Sequence, residues 1–411
     1  MSLACRFCRT PLKQSFCDLG MSPLSNANLR LEQLNDMEPF YPLHAYVCEA
    51  CLLVQLDTFE SPQNLFNDHY AYFSSYSDSW LAHAKAYVED MTTRFKLGPA
   101  NQVVEIASND GYLLQFFVQN KIPALGVEPA GNVANAAREK GVTTLEKFFG
   151  VATATQLLKE GKAADLLLGN NVLAHVPDLN DFVAGLKILL KPNGVITMEV
   201  PHLLRLMQNN QFDTIYHEHF SYFSFLTAEK IFSAHGLTLF DVEELGTHGG
   251  SLRIFGRHSA DTSRPVMDRI GTMKEQEAAA GLDTPTGYTQ FDQQVRETKR
   301  RLLEFLIESK QAGKTIVGYG APAKGNTLLN YCGVRTDFIN FTVDRSPHKQ
   351  GAYLPGTHIP IFHPDKIAET KPDYILILPW NIKDEIMEQL AYVREWGAKF
   401  VLPIPQVEVV A

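Results

Sequence analysis

The sequence lacks three features that would each indicate a class of protein. It has no basic excess: 37 Lys and Arg face 46 Asp and Glu, a formal net charge of -9, whereas nucleic-acid binding proteins usually present a basic surface. It has no long hydrophobic run, since apolar stretches such as residues 165–168 have strand length and a bilayer span needs about 20 apolar residues. It has no apolar signal segment near Met1, so we expect a cytoplasmic protein. From the charge and the short apolar runs we expect no nucleic-acid and no membrane partner.

Cysteine is also scarce, and its arrangement is informative. Six cysteines in 411 residues are too few for a disulfide scaffold. Four of them form two Cys-x-x-Cys pairs: Cys5 with Cys8, and Cys48 with Cys51. Because both thiolates of such a pair can bind one ion, two pairs complete a tetrahedral zinc site with no position open for catalysis. We therefore predict structural zinc, with reduced core cysteines or a redox pair as the alternative. The other two, Cys17 and Cys332, are predicted to be buried free thiols.

The chain divides into three predicted units, and the fold class is α/β. Residues 1–70 are rich in turns and too small to bury much core, so that a metal would stabilise them. Residues 71–288 alternate apolar strands with helices in the order βαβαβ, which predicts a parallel sheet covered on both faces. Residues 289–411 begin with a long amphipathic helix and continue as a second α/β unit.

Individual elements of the two α/β units can be located in the sequence. In the first unit, strands are predicted at 103–106, 124–128, 164–168 and 194–200, helices at 132–140, 179–190 and 227–235, and a final antiparallel pair at 237–242 and 251–256. In the second unit, a helix at 289–312 precedes strands at 315–320, 338–343 and 374–378. Ligands bind beyond the carboxyl ends of the strands in such sheets.

The turn after the first strand is the candidate cofactor site. Its residues are small or polar, so that the backbone can approach a ligand closely, and an acidic residue ends the next strand, where it can bind both ribose hydroxyls of an adenosine. Ala107 replaces the first glycine of the dinucleotide pattern, which favours S-adenosylmethionine over a dinucleotide. An ordinary strand-turn-helix is the alternative. The candidate cofactor-binding residues come from this strand and turn, from the end of the next strand and from the end of the strand at 164–168: Glu105, Ala107, Asn109, Gly111, Glu128, Asn170 and Asn171.

The most distinctive segment, residues 216–223, contains two histidines. His217 and His219 are two residues apart, which does not fit a zincin helix. General acid-base chemistry fits better, because histidine titrates near neutrality and neighbouring groups can tune it. A second metal site or an aromatic core with incidental histidines are the alternatives. His175 follows another strand and is predicted either to touch ligand or to make a structural hydrogen bond.

A second glycine turn, residues 318–326, lies in the C-terminal unit. Lys324 can neutralise a phosphate there, and Asp344 ends the next strand as a ribose-binding acid would. We favour a sugar-nucleotide or structural role over nicotinamide binding.

Together these motifs resemble the sugar C-methyltransferase family, in particular the C3'-methyltransferases of TDP-linked 4-keto-deoxy sugars. The resemblance spans the chain and rests on the paired cysteines, residues 105–111, 171–175, 216–219 and 318–326. It implies a zinc-binding segment, a Rossmann-like methyltransferase domain and a C-terminal α/β domain, with the nucleotide sugar between the domains. It implies a role in deoxysugar biosynthesis.

The resemblance also implies roles for residues. His219 is the expected general base, and the other catalytic candidates are Tyr216, Glu218 and His175. The expected substrate-binding residues are Tyr70, Tyr222, Lys324 and Asn326. A nicotinamide-dependent nucleotide-sugar reductase and a zinc-ribbon nucleic-acid adaptor are the alternative functions, and the sequence leaves the choice between monomer and small homo-oligomer open.

Overall fold

A computed structural model describes residues 3–61 and 73–411 of the chain. The N-terminal segment forms an antiparallel sheet from β1 (Gln14–Ser22), β2 (Tyr41–Val47) and β3 (Val54–Leu56), to which the distant β9 (Ser221–Tyr222) adds a fourth strand. We predicted only turns here. The signal was present in β2, where Leu43, Ala45 and Val47 alternate with more exposed residues. Its partners β1 and β3 are its neighbours in the chain, and only β9, which pairs with β3, lies far away in the sequence.

A seven-stranded sheet forms the centre of the molecule. Its strands are β4 (Val103–Ile106), β5 (Ala124–Val127), β6 (Thr144–Leu145), β7 (Ala164–Asn170), β8 (Leu190–Pro201), β10 (Leu237–Leu245) and β11 (Ser251–His258). The spatial order is β10-β11-β8-β7-β4-β5-β6, and β11 runs antiparallel to both of its neighbours. The predicted parallel strands and the antiparallel pair are confirmed. Because the order reverses between β4 and β7, a ligand crevice is expected beyond their carboxyl ends.

Eight helices of the described residues accompany this sheet. They are α1 (Asp78–Arg94), α2 (Leu114–Gln119), α3 (Gly131–Glu139), α4 (Val151–Lys159), α5 (Leu179–Leu189), α6 (Leu203–Gln208), α7 (Phe225–Ala234) and α8 (Asp268–Ala279). The three helices predicted from the sequence correspond to α3, α5 and α7, and no end differs from the prediction by more than two residues. Ser224 caps α7 by accepting the backbone N–H of Thr227, which explains where that helix begins.

The C-terminal domain has its own six-stranded sheet, entered through the long helix α9 (Phe291–Gln311). The strands are β12 (Ile316–Tyr319), β13 (Thr342–Val343), β14 (Ile361–Phe362), β15 (Tyr374–Ile377), β16 (Lys399–Leu402) and β17 (Glu408–Val410), in the order β14-β13-β12-β15-β16-β17. The helices that follow α9 are α10 (Ala323–Cys332), α11 (Lys366–Thr370) and α12 (Lys383–Gln389). The strand predicted at 338–343 is confined to its last two residues.

One hydrophobic cluster is shared by the N-terminal, central and C-terminal parts of the chain. Phe16 of β1 stacks on Phe291 of α9, with ring centroids 4.7 Å apart, and the same buried cluster includes Leu203, Phe212 and Leu328. None of the helices among the described residues combines the length and the apolar character that crossing a bilayer requires.

Candidate active site and zinc centre

The four cysteines of the two pairs converge on one point. The sulfur atoms of Cys5, Cys8, Cys48 and Cys51 all lie within 4.8 Å of one another. A tetrahedral zinc ion with Zn–S bonds of about 2.3 Å separates its sulfurs by about 3.8 Å, so the four thiols fit zinc. Arg9 and Leu52, the residues that follow the two pairs, both have positive φ. The N–H of Arg9 donates to the carbonyl of Cys5 and that of Leu52 to the carbonyl of Cys48, so the two turns are closed in the same way. Cys17 and Cys332 are buried free thiols elsewhere, as predicted.

The turn after β4 is tightly wound. Ala107, Asn109 and Gly111 all have positive φ, and a Cβ on Gly111 would lie 3.0 Å from the side chain of Val142. Gly111 therefore allows close packing within the protein itself. Glu105, inside β4, is fully buried; burial raises its pKa well above the usual value, while a hydrogen bond with Tyr112 opposes the rise.

Glu128 follows β5 at the same edge of the sheet. Its two carboxylate oxygens accept the backbone N–H groups of Asn109 and Ala130 at 3.0 and 2.9 Å. Burial raises its pKa to about 7 although both hydrogen bonds favour the ionised form. Each oxygen keeps a further lone pair, so the carboxylate both holds the turn and can accept hydroxyl protons from a ligand.

Asn170 and Asn171 come at the end of β7, beside the turn. The side-chain oxygens of both residues are buried and have no partner among the described residues. Buried polar atoms are normally hydrogen-bonded, so that two adjacent exceptions at the ligand edge of a sheet fit a bound polar ligand. The amide of Asn170 also donates to the Tyr112 hydroxyl at 3.4 Å.

His219 lies in the long connection after β8, and its ring is held at both nitrogens. Its Nδ1 is 2.9 Å from the carbonyl oxygen of Thr214, which can only accept, and its Nε2 is 2.8 Å from the hydroxyl of Tyr216. This arrangement requires the tautomer with the proton on Nδ1. Burial, with contributions from nearby cations and histidines, lowers the pKa of His219 well below the usual value. Nε2 of His219 is therefore unprotonated at neutral pH.

The structure brings two further predicted residues to this ring. The ring centroids of His175 and Tyr222 lie 4.6 and 6.2 Å from that of His219. Burial lowers the pKa of His175 to about 4. The other histidine of the motif, His217, faces away: its ring contacts Tyr41 and its Nε2 donates to the carbonyl of Pro42.

Glu218 points toward the N-terminal segment. Its carboxylate accepts the side-chain amide of Asn26 at 2.6 Å. Burial raises its pKa to about 7, and the charge of Lys349 opposes that rise. Thr214 and Tyr216, not Glu218, hold the His219 ring.

Lys324 lies at the start of α10, above the ring of Trp380 at 4.5 Å. Its ammonium donates to Asn381 at 2.7 Å. Burial lowers the pKa of Lys324, and the carboxylate of Asp213 opposes this. Asp213 in turn accepts the indole N–H of Trp380 at 2.7 Å. Together these contacts connect the C-terminal domain to the segment that carries His219.

Asn326 is almost fully buried, and its amide donates to the carbonyl of Ser25 at 2.6 Å. The glycine turn beside it is occupied by the protein's own groups. Asp344 accepts the N–H of Ala321 at 2.7 Å, and the ammonium of Lys349 donates to the carbonyl of Ala321 at 2.9 Å. The predicted substrate residue Tyr70 lies outside the described residues.

Comparisons with known proteins agree with this architecture. Family models match residues 5–66 ("Putative zinc binding domain"), 80–242 ("Methyltransferase domain") and 246–405 ("C-methyltransferase C-terminal domain"). C-methyltransferase NovU from Streptomyces niveus is 35% identical over 407 residues, which are 99% of this chain and 96% of NovU. The chain belongs to the C-methyltransferase family. Its dependence on S-adenosylmethionine and its zinc-binding N-terminal domain, both predicted from the sequence, are confirmed.

Solved structures at lower similarity also match this C-methyltransferase. Magnesium protoporphyrin IX methyltransferase from Synechocystis PCC 6803, with bound SAH, is 15% identical; 44% of this chain and 83% of that chain are covered, with a TM-score of 0.35. The CcbJ methyltransferase from Streptomyces caelestis is 14% identical, with 43% and 89% covered and a TM-score of 0.34.

Sequence reasoning missed two groups of the C-methyltransferase site. His248, in the turn between β10 and β11, is close enough to lower the pKa of His219, and burial lowers its own pKa to about 4. Its position in a glycine-rich turn at the ligand edge was the available signal. Asp213, whose pKa burial raises to about 6, had no local signal, because its partners Lys324 and Trp380 lie more than 100 residues away.

Proposed function

We propose that this C-methyltransferase transfers the methyl group of S-adenosylmethionine to C3' of a TDP-linked 4-keto-deoxy sugar, with His219 as general base. The observation that supports this most is the state of His219: a buried, neutral imidazole whose Nε2 lone pair faces a hydroxyl that a substrate can displace. A sugar carbon becomes a nucleophile only when a neighbouring ketone acidifies its C–H bond. A base that is unprotonated at neutral pH is what that step needs.

Each group around the His219 ring has a role in the removal of the C3 proton. Nε2 of His219 takes the C3 proton, and the electron pair of the broken C–H bond moves to the ketone oxygen as an enolate. The Thr214 carbonyl stabilises the resulting imidazolium through the Nδ1 proton. The Tyr216 hydroxyl, which contacts Nε2 and can be displaced from it by the substrate, can donate to the enolate oxygen.

The carboxyl edge of the central sheet offers polar groups that support binding of the cofactor there. When bound, S-adenosylmethionine supplies an electrophilic methyl group on a sulfonium. Glu128 offers carboxylate oxygens for its ribose, and Asn170 and Asn171 offer buried amide oxygens that have no partner among the described residues. Lys324 supplies a cation for a phosphate of the substrate.

The test is proton exchange in D2O, followed by NMR with a TDP-linked 4-keto-6-deoxy sugar. We expect loss of the C3 proton signal with the wild type and a new C-methyl signal only when S-adenosylmethionine is present. His219→Asn should slow both by about 10²- to 10⁴-fold, the usual contribution of a general base, while S-adenosylhomocysteine still binds.

The matched control is His217→Gln, which changes the neighbouring histidine that faces Tyr41. This variant should exchange the C3 proton at close to the wild-type rate. Equal exchange in His219→Asn and the wild type would remove His219 from the role. Absence of exchange with TDP-, UDP- and GDP-linked sugars would refute the sugar substrate.

A further inference from the structure

Three aromatic rings from two domains lie nearly parallel to one another. Phe73 and Tyr76 precede α1, and His348 follows β13 in the C-terminal domain. The ring centroids are 5.4 Å apart for Phe73 and Tyr76, 6.0 Å for Phe73 and His348, and 6.4 Å for Tyr76 and His348, with interplanar angles of 20°, 20° and 9°. We call these residues the ring cluster. Neither the fold nor the chemistry described above accounts for it.

The ring cluster is open to solvent. Tyr76 is 57% exposed and His348 is exposed, so that ring faces remain available beyond those that pack within the cluster. Exposed aromatic rings with a shared orientation are the feature that proteins use to stack planar bases, whose faces all offer a similar surface.

On one side the ring cluster is fixed to the turn after β4 (residues 107–111), the candidate cofactor turn. The backbone N–H of Ser74 donates to the side chain of Asn109 at 2.9 Å, and the ammonium of Lys140 donates to Ser75 at 2.6 Å while it also binds Asp110. The segment that carries Phe73 and Tyr76 is therefore held at the ligand edge of the central sheet.

On the other side the ring cluster is one residue from a cation of the active site. Lys349 follows His348 in the chain, and its ammonium reaches the Ala321 carbonyl and acts electrostatically on Glu218, the neighbour of His219. Lys324 acts electrostatically on His219, and Lys349 acts on Glu218 while it adjoins His348 in the chain, so that the proposed base, the cations and the ring cluster are linked in that order. A sugar nucleotide has the same order of sugar, diphosphate and base.

We propose that the ring cluster is the stacking surface for the nucleobase of a nucleoside diphosphate-linked substrate. This rests on the proposed function only in taking the substrate to be nucleotide-linked. Stacking on aromatic faces tolerates different bases, so the ring cluster supplies affinity for a base of any kind, and the choice among bases belongs to hydrogen-bonding groups elsewhere.

Calorimetric titration of the zinc-loaded full chain tests the proposal with three probes: thymidine diphosphate, inorganic pyrophosphate and S-adenosylhomocysteine. In Tyr76→Ala and His348→Ala, thymidine diphosphate should bind at least about tenfold more weakly, since a stacked base contributes enough for that change. Pyrophosphate and S-adenosylhomocysteine should bind as in the wild type. Tyr76→Phe, which keeps the ring, and Phe362→Ala, which removes an exposed ring on β14, should leave all three affinities unchanged.

Unchanged thymidine diphosphate affinity in both alanine variants would overturn the proposal, as would an equal loss for pyrophosphate, or a loss for S-adenosylhomocysteine instead. Because no sugar and no turnover are involved, the result is separable from the proton-exchange test. Wild-type turnover of a sugar nucleotide combined with unchanged binding in the variants would refute only the ring cluster. A wild type that binds no nucleoside diphosphate would refute the nucleotide-linked substrate as well.

Discussion

At the scale of the residue, two histidines of one motif have different environments. The N–H of His219 bonds to the carbonyl of Tyr216, which closes a turn and directs the imidazole toward His175, while His217 faces the N-terminal sheet. Sequence alone assigned the base to His219 only through the family resemblance. The structure adds a physical reason, because only His219 has an accepting carbonyl on one nitrogen and a hydroxyl on the other.

The lowered pKa of His219 predicts how activity depends on pH. A base is active when unprotonated, and a lowered pKa keeps it so as the pH falls. We therefore expect kcat/KM for C3 proton exchange to hold its plateau below the usual histidine value of about 6.5 and to fall only at lower pH. The measurement is kcat/KM from pH 4.5 to 8. An acid limb at or above about 6.5 would contradict the buried, neutral state.

At the scale of the element, the cofactor turn depends on backbone conformations that side chains disfavour. Gly111 combines positive φ with close packing against Ala137 and Val142, whereas Gly141 has a similar φ of +81° and nothing within 4 Å of an added Cβ. The two glycines therefore separate the cost of the backbone from the cost of crowding.

We expect Gly111→Ala to lower the free energy of unfolding more than Gly141→Ala does. The left-handed conformation costs either variant about 1–2 kcal/mol, and contacts of 3.0–3.3 Å add a further cost only at Gly111. Urea unfolding gives both values, and titration with S-adenosylhomocysteine should show weaker binding only in Gly111→Ala. Equal free energies of unfolding in the two variants would mean that the turn relaxes around the new methyl group, and would contradict the predicted cost of crowding.

At the scale of the whole molecule, the zinc segment is joined by hydrogen bonds to the candidate active site. β3 pairs with β9, which begins two residues after His219, and Leu56 donates its N–H to the carbonyl of Phe220 at 3.0 Å. Arg6, inside the first cysteine pair, donates to the carbonyl of Pro177, two residues after His175. Zinc bound to the four cysteines would thus stabilise both segments that carry the proposed catalytic residues His175 and His219.

Removal of zinc should therefore reduce turnover together with stability. In Cys48→Ser we expect loss of bound zinc, a lower Tm and a C3 exchange rate that falls with it, because binding energy at a structural zinc site is folding energy. Metal content, thermal unfolding and exchange rate are measured on one preparation. Cys332→Ala, which removes a buried thiol far from zinc in the sequence, should keep the metal. Full activity without zinc would disprove the connection.

Much of the fold was predictable because its signals are local. The strands and helices of both α/β units were located by periodicity and turn residues, and each Cys-x-x-Cys pair by its spacing. The N-terminal sheet was missed although β1, β2 and β3 pair with one another within 45 residues; only its fourth strand β9, which pairs with β3 from about 165 residues away, had no local signal. The division at residues 70 and 288 stays a prediction; β11 belongs to the central sheet, and the C-terminal family match begins at residue 246.

By itself, the sequence determined the order of elements, the zinc ligands and the family, because spacing and motif are properties of neighbouring residues. Only the tertiary structure decided which histidine of the motif has a strongly lowered pKa, that His248 acts on His219 and Asp213 on Lys324, and that Phe73, Tyr76 and His348 form one surface. The physical reason is that burial and charge depend on groups brought together from distant parts of the chain. A pKa, a tautomer or a shared surface arises only when those parts pack.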